Sequence, residues 1–157
     1  MAIYLVRHAH AGSRRPTSSH DRYRLLSDKG KRRAVAVAEL LSDVKIRSII
    51  SSPATRCVQT VEPLAANLGL EVVEHDDLWE DADTKDAMAI LDANSKGNSV
   101  ICTHGNLIPI LVEQLGEAGA KIKGRGCEKG SIWVLDHNGK RFTKASYISK
   151  NSEMLSY

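Results

Sequence analysis

Apolar and polar positions alternate along the chain in two periods, one of strands and one of helices. Residues 2–7 form a short apolar run that ends in polar residues, as a buried strand does. Residues 9–26 are rich in Arg, Ser and His around Pro16 and read as a loop. Ser27-Asp28 is suited to cap a helix, on which Ala34, Val37, Ala38 and Leu41 fall on one face. Residues 46–50 are a second strand. Ser51-Ser52-Pro53 then turns into a helix that runs to about Asn67, with Pro63 marking a kink. Residues 70–73 read as a short strand, 83–93 as a helix and 98–102 as a strand. After Thr103-His104-Gly105-Asn106, Ile108, Leu111, Val112 and Leu115 line one face of a last helix, with Pro109 in its tolerant first turn. Residues 118–130, with four glycines and four basic residues, read as a flexible basic loop. Residues 132–135 and 141–148 flank His137-Asn138-Gly139-Lys140, a hairpin signal. This order predicts an α/β three-layer sandwich: a mostly parallel central sheet flanked by helices, closed by a C-terminal hairpin.

At 157 residues, 42% hydrophobic and 26% charged, the chain suits a single soluble domain over 1–157. No apolar run approaches the ~20 residues of a membrane helix, and the first residues lack the basic region of a signal peptide. Cys57, Cys102 and Cys127 are odd in number without metal-type spacing, which suits free thiols in a reducing cytoplasm. A net charge of +3 does not call for a nucleic-acid polymer or a membrane surface as partner. Its distribution is uneven. Residues 1–60 carry twelve Lys/Arg against four Asp/Glu, residues 61–99 two against ten, and residues 100–157 eight against five. Most such charges belong to solvated faces, so motifs must say which converge.

In an open α/β sheet, ligands bind beyond the carboxyl ends of the strands. Arg7-His8 ends the first strand, Ser51-Ser52-Pro53 the second with Arg56 on the helix that follows, and Thr103-His104-Gly105-Asn106 the fourth. Two imidazoles and two guanidiniums would face one crevice. Arginine's planar fork suits phosphate oxygens, and the helix after Asn106 offers free N–H groups to the same anion. The set suits a phosphoryl group.

Leu5-Val6-Arg7-His8-Ala9, Ser51-Ser52-Pro53-Ala54-Thr55-Arg56-Cys57-Val58-Gln59-Thr60 and Cys102-Thr103-His104-Gly105-Asn106 together resemble, in order, the three motif blocks of the histidine phosphatase superfamily, which includes phosphoglycerate mutases. The resemblance extends from Ile3 to about Ile148. Short length, Arg24-Leu25-Leu26-Ser27 and the closing hairpin most resemble the small bacterial phosphohistidine phosphatase branch, and similar domains occur fused to Nudix hydrolases. Ala9 stands where the motif has glycine. The resemblance implies a metal-independent, cofactor-free phosphatase with His8 as nucleophile and Arg7, Arg56, His104, Arg24 and Gly105 around the phosphate. It also implies a catalytic acid in Leu78-Trp79-Glu80: Glu80 first, Asp81 second, in a stretch crowded by Asp76, Asp77 and Asp83. The substrates implied are a phosphohistidine protein or a small phosphorylated metabolite such as a sugar phosphate or nucleotide.

Other readings compete. His8-x-His10 could suggest the metal site of a barrel hydrolase, but the chain is too short for such a barrel. His10, His20, His75 and His137 read as surface histidines, and Arg14, Arg15 and Arg22 as solvated loop charges. Cys57 and Cys102 read as buried structural thiols. Residues 124–130 lack the order of a P-loop. A catalytically inactive phosphate-binding module and a nucleotide-binding domain are the rival functions. The absence of G-x-G-x-x-G after the first strand weighs against the latter.

Overall fold

In a computed structural model of the chain, residues 1–13 and 19–149 are described. Arg14, Arg15 and Pro16 lie outside them. Seven strands form one sheet: β1 (Ala2–Arg7), β2 (Ser48–Ser51), β3 (Val72–Glu74), β4 (Ser99–Thr103), β5 (Lys121–Lys123), β6 (Ile132–His137) and β7 (Phe142–Ile148). Four helices accompany them: α1 (Asp28–Leu40), α2 (Thr55–Leu68), α3 (Thr84–Ala93) and α4 (Ile108–Glu117). The strand order is β3-β2-β4-β1-β6-β7-β5. β1, β4, β2 and β3 run parallel, β6 is antiparallel to both β1 and β7, and β5 lies parallel to β7.

Alternation along the strands divides the core in two. Ala2, Tyr4 and Val6 of β1 join Val100 and Cys102 of β4 under Val37, Ala38 and Leu41 and under Val61 and Leu64 of α2. Ile3, Leu5 and Ile101 face the other way, against Ala87, Ile90 and Leu91 of α3 and Ile108, Leu111 and Leu115 of α4. The sheet is therefore sandwiched between α1/α2 and α3/α4. β1 and β4 are apolar on both faces because both faces are covered.

Ser27 caps α1 with a side chain that accepts from Gly30 N, and Asp83 caps α3 through Lys85 N. Pro63 sits inside α2, which continues through it. Three boundaries differ from expectation. β2 starts at Ser48 and β3 at Val72, because Val44, Ile46 and Leu70 pack against the α1/α2 core from the connections. Their apolarity signals burial rather than strand. Residues 121–123, expected as loop, form the exposed edge strand β5. Its lysines mask a strand to sequence reading, and lysine is also what shields an exposed edge. The expected loop at 9–26 contains a short 3-10 helix, Ser19–Tyr23.

Candidate active site

The parallel run of β1, β4 and β2 brings the three motif-bearing strand ends together. Arg7 pairs in register with Thr103, and Ser51 with Cys102. His8 and His104 thus leave neighbouring strands side by side, their rings edge-to-face with centroids 5.5 Å apart. The cavity above them has a volume of about 770 Å³.

His8 is buried at 7% exposure. Its Nδ1 lies 2.9 Å from the Ala9 carbonyl. A carbonyl only accepts, so Nδ1 carries the proton and Nε2 keeps its lone pair. Burial, opposed by that hydrogen bond and reinforced by the charges of His104, Arg56 and Arg7, pushes the His8 pKa down to about 3. The ring is neutral at physiological pH. The next residue is fixed from α2: Ala9 N donates to Thr60 Oγ1, and that hydroxyl donates to Arg56 O.

Arg56, 2% exposed, enters from the first turn of α2. Its Nη1 donates to Asp21 O at 3.1 Å and lies 3.6 Å from the Asp21 carboxylate. Its Nη2 lies 3.5 Å from His104 Nδ1 and 3.7 Å from Glu80 Oε2. His104 Nε2 meets Ser52 Oγ at 2.9 Å. Arg7 donates from Nη1 to Cys127 O at 2.6 Å. The Nε groups of Arg7 and Arg56 are buried and make no hydrogen bond among the described residues, as suits guanidiniums that face an anion. A Cβ on Gly105 would stand 2.5 Å from Arg7 Cζ, so glycine is what lets that guanidinium lie beside the turn. Arg24, held by Asp21 and by the Ala11 and Gly12 carbonyls, also lines the cavity.

Glu80 and Asp81 both line the cavity from the β3–α3 connection, so position alone does not separate them. The contact with Arg56 marks Glu80 as the one beside the motif residues. Four contributors escaped sequence reading. Asp21 holds both Arg24 and Arg56. Trp79 stacks near-parallel to His104 at 6.1 Å. Arg22 is exposed, as expected of a solvated charge, and its guanidinium also lies 4.9 Å from the Trp79 ring centroid. Lys129 lines the cavity from the supposedly flexible loop. Trp79 stood within a motif already singled out. Asp21 and Lys129 carried no local signal, since only the fold brings them near. His10, expected at the surface, is partly buried with Nδ1 2.7 Å from Ser27 Oγ. His20 and His75 are exposed as expected, and His137 is half-buried edge-on against Phe142. Cys57 and Cys102 are fully buried, with Cys57 Sγ 3.7 Å from His104 Nε2. No group of three or more His, Cys, Asp or Glu among the described residues is arranged to hold a metal ion.

A family model for the histidine phosphatase superfamily (branch 1) matches residues 3–84. The chain belongs to that superfamily. A curated relative, the 8-oxo-(d)GTP phosphatase of Mycolicibacterium smegmatis, is 34% identical over 96% of this chain and 49% of its own length. This histidine phosphatase chain thus spans about half of that relative. Among solved structures, SixA from Agrobacterium tumefaciens shares the fold at a TM-score of 0.72 and 23% identity, over 94% of this chain and 97% of that one. A mycobacterial glucosyl-3-phosphoglycerate phosphatase complexed with VO3 does so at 0.71 and 19%, over 97% and 99%. No described helix is long and apolar enough to cross a membrane.

Proposed function

We propose that this protein hydrolyses phosphorylated substrates in two steps through a phosphohistidine on His8. The observation that carries this reading is a buried, neutral His8 whose Nε2 lone pair stands among Arg7, Arg56 and His104. In the first step Nε2 attacks phosphorus in line and the bond to the leaving group breaks. Glu80 acts as general acid and gives a proton to the departing oxygen. In the second step Glu80 takes a proton from water as the oxygen of that water attacks phosphorus. The P–N bond breaks, phosphate leaves and His8 is restored. The guanidiniums of Arg7 and Arg56 hold the equatorial oxygens, where charge accumulates. Ser52 lets His104 assist: its hydroxyl either accepts from Nε2–H or donates to Nε2, and in the latter state Nδ1–H can turn to a phosphoryl oxygen. These donors supply the charge a metal would, so the reaction needs no metal ion.

Two substrate classes suit this chemistry: a phosphohistidine on a protein and a small phosphate ester. A carboxyl group beside Arg56 favours the ester, because an alkoxide needs a proton to leave, whereas imidazole departs readily once its far nitrogen is protonated. The test is a panel of phosphohistidine protein, sugar phosphates and nucleotides, with trapping of labelled phosphate on the enzyme. Turnover and an acid-labile adduct are expected from the wild type, with or without a chelator, and neither from a folded His8→Ala variant. Turnover by His8→Ala, or loss on chelation that a divalent ion restores, overturns the scheme.

A further inference from the structure

The segment that sequence patterning marks as flexible is pinned on every side. Gly130 N is shared between the carbonyls of Arg7 and His8, at 3.0 and 3.2 Å. Arg7 N donates to Ser131 O, and Arg7 Nη1 to Cys127 O. Ser131 N and Oγ both donate to Glu128 O. Glu128 N donates to the Tyr147 hydroxyl, and Trp133 Nε1 to Gly126 O. Gly130 has φ +80°, and a Cβ there would stand 2.5 Å from Arg33 Cγ, so the backbone that turns here has little freedom to shift. Residues 126–131 are thereby tied to the strand end that carries His8.

Lys129 is the residue of this segment that lines the cavity. It makes no hydrogen bond or ion pair among the described residues. Its electrostatic surroundings are cations. Lys129 is exposed overall; desolvation at the cavity mouth, then the charges of Arg7, Arg24 and Lys29, push its pKa down, and no carboxylate offsets them. His10 is pushed down by burial and by Lys129, Lys29 and Arg24. The cavity is therefore polarised. Glu80 and Asp81 enter it from the β3–α3 connection, and Arg24 and Lys129 from the two segments next to β1. Arg7, Arg56 and His104 already serve one phosphoryl group in the reading above, which leaves beside it an ammonium on a tethered backbone with no anion paired to it among the described residues.

We infer that Lys129, flanked by Arg24, is a specificity-determining residue that binds a second anionic group of the substrate. The preferred substrate then carries a carboxylate or a further phosphate near the phosphoryl group that is transferred. This inference rests on the phosphatase reading above and narrows it.

A matched series tests it: a three-carbon alkyl phosphate ending in a hydroxyl, a carboxylate or a second phosphate. The wild type should favour the anionic ends over the hydroxyl end by about tenfold in kcat/KM, the scale of one charge-assisted hydrogen bond. Lys129→Gln should bring the ratio near one, Lys129→Arg should keep most of it, and added salt should lower it in the wild type. The two anionic arms separate carboxylate from phosphate recognition. Equal kcat/KM for all three substrates in the wild type, or a preference that survives Lys129→Gln, overturns the inference. His8→Ala, run alongside, reports on the phosphatase reading separately: it should abolish turnover of every member of the series, whatever the selectivity.

Discussion

A histidine that attacks phosphorus must reach it unprotonated, and His8 is held so by burial. That state has a thermodynamic consequence. The folded value of about 3 lies below the ordinary 6.5, so between those limits the unfolded chain binds a proton that the native chain does not. Stability therefore falls as pH drops through that window, by about 2 kcal/mol between pH 7 and pH 5 from this residue alone. Urea unfolding of wild type and His8→Gln at both pH values measures it. The variant should lose about 2 kcal/mol less, and equal losses would show that His8 titrates normally. Glu80→Gln should cost an alkyl phosphate roughly 10²–10⁴-fold in kcat/KM and an activated aryl phosphate much less, because a phenolate leaves without a proton. Equal losses would move the acid to Asp81 or solvent. At this scale the motif residues were legible because their types and order are specific. Asp21 was not, because one more acid in an Arg-rich stretch looks the same whether solvated or, as here, clamped between Arg24 and Arg56.

Between elements, α1 is joined closely to the chain leaving His8. The His10 carbonyl accepts from both Ser27 N and Ser27 Oγ, and Gly30 leaves room for it: a Cβ there would stand 2.1 Å from that oxygen. Gly30→Ala must displace backbone on one side or the other, and the expected loss is about 1–3 kcal/mol, the usual cost of overpacking. It should appear as a lowered urea midpoint, while Arg32→Ala, on the exposed face, should leave the midpoint nearly unchanged. Helices were legible from their apolar spacing and caps. Strand starts at 48 and 72 were not, because apolar connections bury the same surface that strands do. The 126–131 segment was misread because composition records glycine and charge but not the carbonyls of Arg7 and His8 that receive Gly130.

Over the whole molecule, the uneven charge of the sequence resolves into one cavity. The basic first third supplies Arg7, Arg24 and Arg56, the acidic middle Glu80 and Asp81, and the last third His104 and Lys129. The alternation of strands and helices foretold the layers and the parallel half of the sheet. It could not foretell that β5 adds to the far edge, because three exposed residues carry no periodicity. One feature of the topology bears on how the protein is made. β1, the strand that leads into His8, precedes the other strands of the sheet in the chain, yet it lies in the interior of the sheet, between β4 and β6. Neither neighbour exists until the ribosome has passed residues 99–103 and 132–137. β1 must therefore wait for both of its partners, and its pairing cannot proceed strictly in chain order. Pairing β1 with β4 brings Ile3 to Ser99, and pairing it with β6 brings Ile3 to Leu135; such long loop closures make folding slow for the protein's size. It also means that the strand end leading into His8 is not held on both sides until β6 has been made.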